Sequence, residues 1–405
     1  MLRQAQHDTV IGIDCRFAST KAGLGRYTRE LTRALLLRSD PWSYVLFVRG
    51  DEGGLGDLPR SSNVQRVTFN APHYSIQEHL LWPQAIRRSG ITLLHVPHFD
   101  VPLYSPTPFI ATIHDLTLHH YPNQASLLKR TAYRFLMRST LKRAAHIIAV
   151  SEFTRGELSK QYACLRTPLD RAPKERVERP LDSALRASLE ESTDHISVIP
   201  EGVSPIFHPA GRGQREFIGQ EWQLPERYFV YVGNAKEHKN VQTLIDAFEK
   251  VCTHYPEPLP TLLLVSHGPE VQRLRLAPGV RILEKIDDMH LRALYTGAVA
   301  MVLPSLYEGF GLPCLEAMAS WCPVIAANRT SLPEVCGDAA LLVEPTVEGL
   351  SSAMVNVMHL HSDSMERATM MERGLQRAKE FTWEKTAERT AEVYRDVLNE
   401  RGMLQ

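Results

Sequence analysis

Short apolar runs alternate with helix-patterned stretches along this chain, one round in each half, and this alternation narrows its fold more than any other feature. Parallel strands need a crossover between them, normally a helix, and a strand covered on both faces reads as an unbroken apolar run. In the first half, 9–14 reads as a buried strand. Further runs lie at Tyr44–Val48, Val64–Phe69, Ile91–Val96, Phe109–Ile113 and His146–Val150, with helices over Arg26–Arg38, Ile76–Arg88 and Ser126–Arg143. In the second half, Tyr228–Val232, Thr261–Val265, Val280–Leu283, Val299–Leu303, Val324–Ala326 and Ala340–Val343 are the strand candidates. Helices at Val241–His254, Met289–Thr296, Leu312–Trp321 and Val347–His359 separate them. The expected fold is α/β, with two doubly wound, Rossmann-like sheets facing across a cleft and ligands at the carboxyl ends of the strands.

A chain of 405 residues exceeds what one core supports, so two domains of about 200 residues each are expected. The division is placed at 208/209. Residues 1–208 form the first domain, with a charged, proline-bearing insertion near 160–195. Residues 209–380 form the second, and 381–405 a closing amphipathic helix that packs back on the first. Basic and acidic residues number 46 each, so global charge offers no case for nucleic acid as partner. No apolar run approaches the roughly 20 residues that span a bilayer. The stretch before Asp14 has charge and no signal-like apolar core. Six cysteines are scattered without a Cys-x-x-Cys pair, a pattern that suits a reducing, cytoplasmic setting and argues against a zinc site.

The segment 305–319 carries the clearest chemistry. A buried strand runs into Pro304, a turn follows with Gly309 and Gly311, and a helix starts at Leu312. Backbone N–H groups of Phe310, Gly311 and Leu312 at such a helix start suit a phosphate. Glu308 and Glu316, eight residues apart across the turn, are unfavourable beside a phosphate and better placed for sugar hydroxyls. The pattern points to a nucleotide sugar. Read separately, the other motifs are less specific. Gly23 and Gly25 could bring backbone close to a diphosphate or simply turn the chain. His114 and Asp115 could sit at a sheet's carboxyl edge or cap the next segment. Lys239 could reach a diphosphate or lie on the surface.

Seven motifs occur in order: Gly23-Leu24-Gly25-Arg26-Tyr27, Thr112-Ile113-His114-Asp115, Ala149-Val150-Ser151-Glu152-Phe153-Thr154, Pro200-Glu201-Gly202-Val203, Tyr231-Val232-Gly233-Asn234, His238-Lys239-Asn240 and Glu308-Gly309-Phe310-Gly311-Leu312-Pro313. Together they resemble the retaining glycosyltransferases of family 4, which share the GT-B fold, and the finer match is to bacterial mannosyltransferases of cell-surface polysaccharide synthesis. The resemblance implies transfer of a hexose, mannose from GDP-mannose, to a glycan or lipid-linked glycan, with the anomeric configuration retained. It implies catalytic roles for His114, against the transferred sugar with Asp115 orienting it, and for Glu308, on the donor sugar's hydroxyls. Donor binding falls to Gly23, Gly25, Lys239, Gly309, Phe310, Gly311, Leu312 and Glu316, the last on the ribose. Base recognition falls near Ile286. Family members often have arginine where this chain has Asn234, and Lys236 is the substitute at hand. The sequence holds no Asp-x-Asp triplet, which agrees with a metal-independent reaction and no cofactor. Two alternatives share the fold: a nucleotide-sugar epimerase and a non-catalytic glycan-binding protein.

One stretch bears on location. From Ala125 to Ser151 no acidic residue occurs, while Lys129, Arg130, Arg134, Arg138, Lys142 and Arg143 lie among Leu127, Leu128, Tyr133, Phe135 and Leu141. A basic amphipathic helix over 126–143 can rest on anionic lipid at the inner face of a membrane, or pack on a sheet with its basic face in water.

Overall fold

The computed structural model describes residues 9–20, 23–50, 55–56, 58, 62–162, 195–256, 258–360 and 364–403. Most of the charged insertion near 160–195, with Cys164, lies outside the described residues. The chain divides into two compact units. The first takes the described residues up to Leu118, those from Ala125 to Glu201, and those from Trp383 onward; the second takes His119–Gln124 and Gly202–Thr382.

Among the described residues the first unit holds seven strands: β1 (Val10–Asp14), β2 (Ser43–Val48), β3 (Val64–Thr68), β4 (Leu93–Val96), β5 (Phe109–Ile113), β6 (His146–Ala149) and β7 (Ile196–Val198). Their order is β3-β2-β1-β4-β5-β6-β7, and every pairing is parallel. The second holds β8 (Tyr228–Val232), β9 (Thr261–Val265), β10 (Val280–Leu283), β11 (Ala300–Leu303), β12 (Val324–Ala327) and β13 (Leu341–Val343). Here the order is β10-β9-β8-β11-β12-β13, again all parallel. Central strands β4, β5, β11 and β12 are buried at every position, as expected where helices cover both faces. The order reverses between β1 and β4 and between β8 and β11. Crossovers leave in opposite directions there, and the loops at the carboxyl ends open a crevice in each sheet.

Helix boundaries follow local chemistry. Ser75 caps the helix Ile76–Ser89 by accepting from the Glu78 N–H, and Gly90 closes it in the left-handed region at φ 66°, a pattern glycine permits. The first helix, Gly23–Leu36, begins at Gly23, so both glycines of the first motif lie inside its opening turn. Gly25 is required there: an added Cβ would stand 2.0 Å from the Thr20 carbonyl oxygen, whereas Gly23 has open space.

The chain crosses between units at Glu201–Gly202, ahead of the 208/209 division read from sequence. Pairing explains the difference. Val203 bridges to Thr382 and its N–H bonds the Phe381 carbonyl at 3.0 Å, holding the segment after Gly202 in the second unit. The closing helix Trp383–Glu400 belongs to the first unit. There Tyr394 reaches His95 (Oη–Nδ1 2.6 Å), His95 reaches Thr112 (2.9 Å), and Thr112 meets the Tyr27 hydroxyl (3.1 Å). Burial pushes the His95 pKa down to about 3, so this ring serves the chain of hydroxyls in its neutral form.

Just past the end of β1, Arg16 is 1% exposed. It pairs with Asp14 at 2.7 Å and Glu78 at 2.6 Å and lies 3.7 Å over the Trp82 ring. Burying such charges is costly unless each is paired. Asp100 stands close by, 3.7 Å from His79. Desolvation, then the like charge of Glu78, raises its pKa from 3.8 to about 7. A folded-state pKa above the unfolded one means that ionisation is resisted in the native protein. Its contribution to stability is therefore present below about pH 4 and is lost as pH rises through 7. Asp100→Asn is neutral throughout. Urea titrations at pH 5 and pH 8 should show the variant gaining on the wild type at the higher pH; an equal difference at both would contradict the assignment.

Candidate functional site

In the second unit the site is built on the neighbouring strands β8 and β11. The loop after β8 turns at Gly233, with φ 152°. Asn234 shapes the next step, its side-chain oxygen accepting from the Lys236 N–H at 3.2 Å. Asn240, at φ 57°, donates through its side-chain amide to the Pro304 carbonyl at 3.2 Å and to the Pro345 carbonyl at 3.0 Å. The Leu306 N–H bonds the His238 carbonyl at 2.8 Å. These bonds lace the loop after β8 to the loop after β11, and Lys239 and Glu308 meet as a result. The Lys239 ammonium lies 2.6 Å from Glu308 Oε1, with side chains 18% and 11% exposed. Ser305 donates to the same oxygen at 2.8 Å. Lys236 stands exposed in the same loop.

The glycine turn is held from behind. The Glu308 N–H donates to the Thr330 hydroxyl at 3.1 Å, and the Ser331 hydroxyl donates to the carbonyls of Glu308 and Phe310 at 3.0 and 2.9 Å. Phe310 is buried with its ring edge-on to Phe381 at 5.8 Å, so only its backbone is available to a ligand. Gly309 is buried as well. Gly311, at φ 106°, precedes the helix Leu312–Ala319, whose start carries no side-chain cap. Glu316 lies within that helix and is 4% exposed. A bond to Cys336 and burial raise the thiol pKa of Cys314, and the nearby charges of Glu308 and Glu316 push it further up. Ile286 is half-buried in the turn after β10, between Lys285 at φ 60° and Asp287, which caps the next helix. All these positions lie at the carboxyl edge of one sheet.

A further support comes from the stretch just ahead of the basic helix. His120 packs over Tyr307 with ring centroids 4.9 Å apart, and Gln124 Nε2 lies 2.9 Å from His238 Nδ1. The short stretch 119–124 thus braces both loops. Nothing in its composition announced that contact.

In the first unit His114 follows β5. Its Nδ1 lies 2.9 Å from Glu201 Oε1 and its Nε2 3.2 Å from the Pro97 carbonyl. Thr154 donates to the His114 carbonyl at 3.3 Å, and the Tyr27 ring stands edge-on at 4.5 Å. Asp115, expected to orient the ring, accepts from the Thr117 N–H instead at 2.9 Å. That bond lies at the start of the short helix Thr117–His120. Glu201 sits in the motif after β7, and its position beyond a strand end was the available signal. Gly25 lies in the helix opposite Thr20, as above. Among the described residues, no group of three or more His, Cys, Asp or Glu side chains is placed to hold a metal ion.

Two units with parallel, doubly wound sheets, the second carrying a lysine-carboxylate pair and an uncapped, glycine-led helix start at its strand ends, have the architecture of the GT-B fold. A model described as Glycosyltransferase Family 4 matches residues 22–173, and one described as Glycosyl transferases group 1 matches 226–359. Each half of the chain thus matches a glycosyltransferase family model. It is similar to O-antigen chain mannosyltransferase B of Escherichia coli, 27% identical over 92% of this chain and 96% of that protein. It is also similar to O-antigen chain mannosyltransferase RfbU of Salmonella typhimurium, 27% identical over 66% of this chain and 65% of that one. Among solved structures, Anabaena HepE in complex with UDP-glucose shares the fold, with TM-score 0.66 and 16% identity over 96% of this chain and 99% of that one.

A Cβ at position 311 would stand 2.5 Å from Leu332 Cδ2 on a backbone that L-residues rarely adopt. Gly311→Ala should shift the helix start at a cost of about 1–3 kcal/mol. Nucleotide-sugar affinity measured by calorimetry should fall about tenfold or more; unchanged affinity would remove the helix start from the donor site.

Proposed function

We propose that the protein transfers mannose from GDP-mannose to a glycan or lipid-linked glycan, with retention of anomeric configuration and without a metal ion. The observation that carries this reading is the Lys239–Glu308 pair beside the Gly311-led helix start. A diphosphate arriving there offers Lys239 two anionic oxygens in exchange for one carboxylate. Glu308, released from Lys239 and still held by Ser305, then faces sugar hydroxyls. Lys239, Lys236 and the helix N–H groups spread the charge that builds on the leaving diphosphate, and Glu316 holds the ribose. Same-face attack lets the departing phosphate take the proton of the acceptor hydroxyl. The donor is assigned to the second unit and the acceptor to the first, and the family resemblance assigns His114 to the transferred sugar. Mannose is supported by the likeness to O-antigen chain mannosyltransferase B over nearly the whole chain. The UDP-glucose bound by HepE makes UDP-sugars the natural competitors in a test.

Lys239→Ala removes the cation that would face the diphosphate and leaves Glu308 without its ion-pair partner. Turnover should drop about 100-fold to 1,000-fold, with the acceptor KM little changed; rates near wild type would refute the donor-phosphate assignment. In a thermal-shift screen, GDP-mannose at about 100 times its Kd should stabilise the protein by about 2.7 kcal/mol. A rise with UDP-sugars and none with GDP-mannose would overturn the choice of donor.

A lipid-linked acceptor calls for contact with a membrane surface, and we place that contact on the helix Leu127–Arg143. Leu127, Leu128 and Phe135 are 75%, 81% and 59% exposed, and Lys129, Arg134, Arg138 and Lys142 are exposed beside them. Arg143 departs from the basic stripe read in sequence: it bonds Ser139 and lies 5.3 Å over the Phe109 ring. Among the described residues no helix is long and apolar enough to cross a membrane, so the contact would be peripheral. Each surface cation contributes about 1 kcal/mol at an anionic membrane. Arg134→Glu with Arg138→Glu should therefore abolish most co-sedimentation with phosphatidylglycerol vesicles, and undiminished co-sedimentation would sink the idea.

A further inference from the structure

We propose that Glu201 is the positioning residue of His114: it keeps the ring proton on Nδ1 and so leaves Nε2 as the acceptor for a hydroxyl of the transferred sugar. This rests on the reading that His114 meets that sugar.

Three separate parts of the first unit converge on His114. Thr154, from the motif after β6, holds its carbonyl at 3.3 Å. Tyr27, from the first helix, sets a ring edge against it at 86° and 4.5 Å. Glu201, from the motif after β7, lies 2.9 Å from Nδ1. The backbone and ring plane are thereby constrained, and what remains to be decided is which nitrogen carries the proton.

Both groups facing the ring nitrogens are acceptors. The Glu201 carboxylate faces Nδ1 at 2.9 Å, and the Pro97 carbonyl faces Nε2 at 3.2 Å. A neutral imidazole has one N–H and can satisfy only one of them. The carboxylate is charged and nearer, so it takes that proton in the stronger bond. Its side chain is 8% exposed, and a carboxylate so enclosed needs a donor more than a carbonyl does. Nε2 then turns a lone pair toward the Pro97 oxygen, an interaction without a proton in it. A sugar O–H entering beside Nε2 supplies the missing proton and displaces a poor contact at no loss of a good one. Both ring nitrogens face acceptors other than Asp115, whose Oδ1 takes the Thr117 N–H.

The tautomer is measurable without turnover. In the full-length protein labelled with ¹⁵N-histidine, long-range ¹H–¹⁵N spectra should show a protonated Nδ1 and a bare Nε2 for His114, the signal being identified by its loss in His114→Asn. In Glu201→Ala the Pro97 carbonyl is the acceptor left, so the proton should move to Nε2. The kcat should fall about 10-fold to 100-fold while the KM for the nucleotide sugar stays within about twofold. Glu201→Gln keeps an acceptor oxygen and should restore the Nδ1–H form and most of the rate. A wild-type ring protonated at Nε2, or a Glu201→Ala ring with its tautomer unchanged, overturns the proposal, whatever happens to melting temperature. Should the wild type turn over no nucleotide sugar, the transferase reading fails while the spectra still decide the role of Glu201.

Discussion

The adjacency of β8 and β11 is the constraint on which the proposed donor site depends. The crossovers from these two strands leave in opposite directions, so their carboxyl-end loops lie side by side with no helix between them. Asn240 exploits that gap. Its amide donates to carbonyls at Pro304 and Pro345, and the His238 carbonyl takes the Leu306 N–H. With those bonds in place, a lysine and a glutamate 69 residues apart in sequence become partners at 2.6 Å. An ion pair of two long side chains on unconstrained loops would be worth little. Here the backbone has already lost its freedom, and the pair stores a positive and a negative group where an anion and a polyol would each find its match.

The first unit treats its own reversal differently. Around β1 and β4 it buries charge: Arg16 lies between Asp14 and Glu78 over Trp82, with Asp100 nearby. On another side a line of polar groups from Tyr394 through His95 and Thr112 to Tyr27 joins the closing helix to the sheet. Both arrangements tolerate few alternatives, because a buried polar group that loses its partner costs more than the bond contributed. Tyr27 ends that line and also sets its ring against His114, so packing at the closing helix and the attitude of the histidine share a residue.

Much of the fold was legible because parallel strands buried on both faces must be apolar throughout. The runs at Phe109–Ile113 and Tyr228–Val232 coincide with β5 and β8. Ends were less legible where pairing alone stops a strand. Ile91 lies ahead of β4, and the helix read from Arg26 starts at Gly23. The division between units shifted because Val203 pairs with Thr382, a contact that no local pattern encodes. Within the site, the glycine turn and its helix were readable from residue type, since Gly311 occupies a backbone conformation that few other residues accept. The partner of His114 was not. Asp115 is its neighbour in sequence, yet the carboxylate that reaches the ring belongs to Glu201.

By itself the sequence determined the class of fold, the order of its elements and the chemical types brought to the strand ends, because hydrophobic period and glycine geometry are local properties. Tertiary structure alone decided which of those groups face each other: Lys239 with Glu308, Gln124 with His238, Glu201 with His114. Hydrogen bonds and ion pairs form over about 3 Å, and which residues come within that distance depends on strand order and loop closure across the whole sheet.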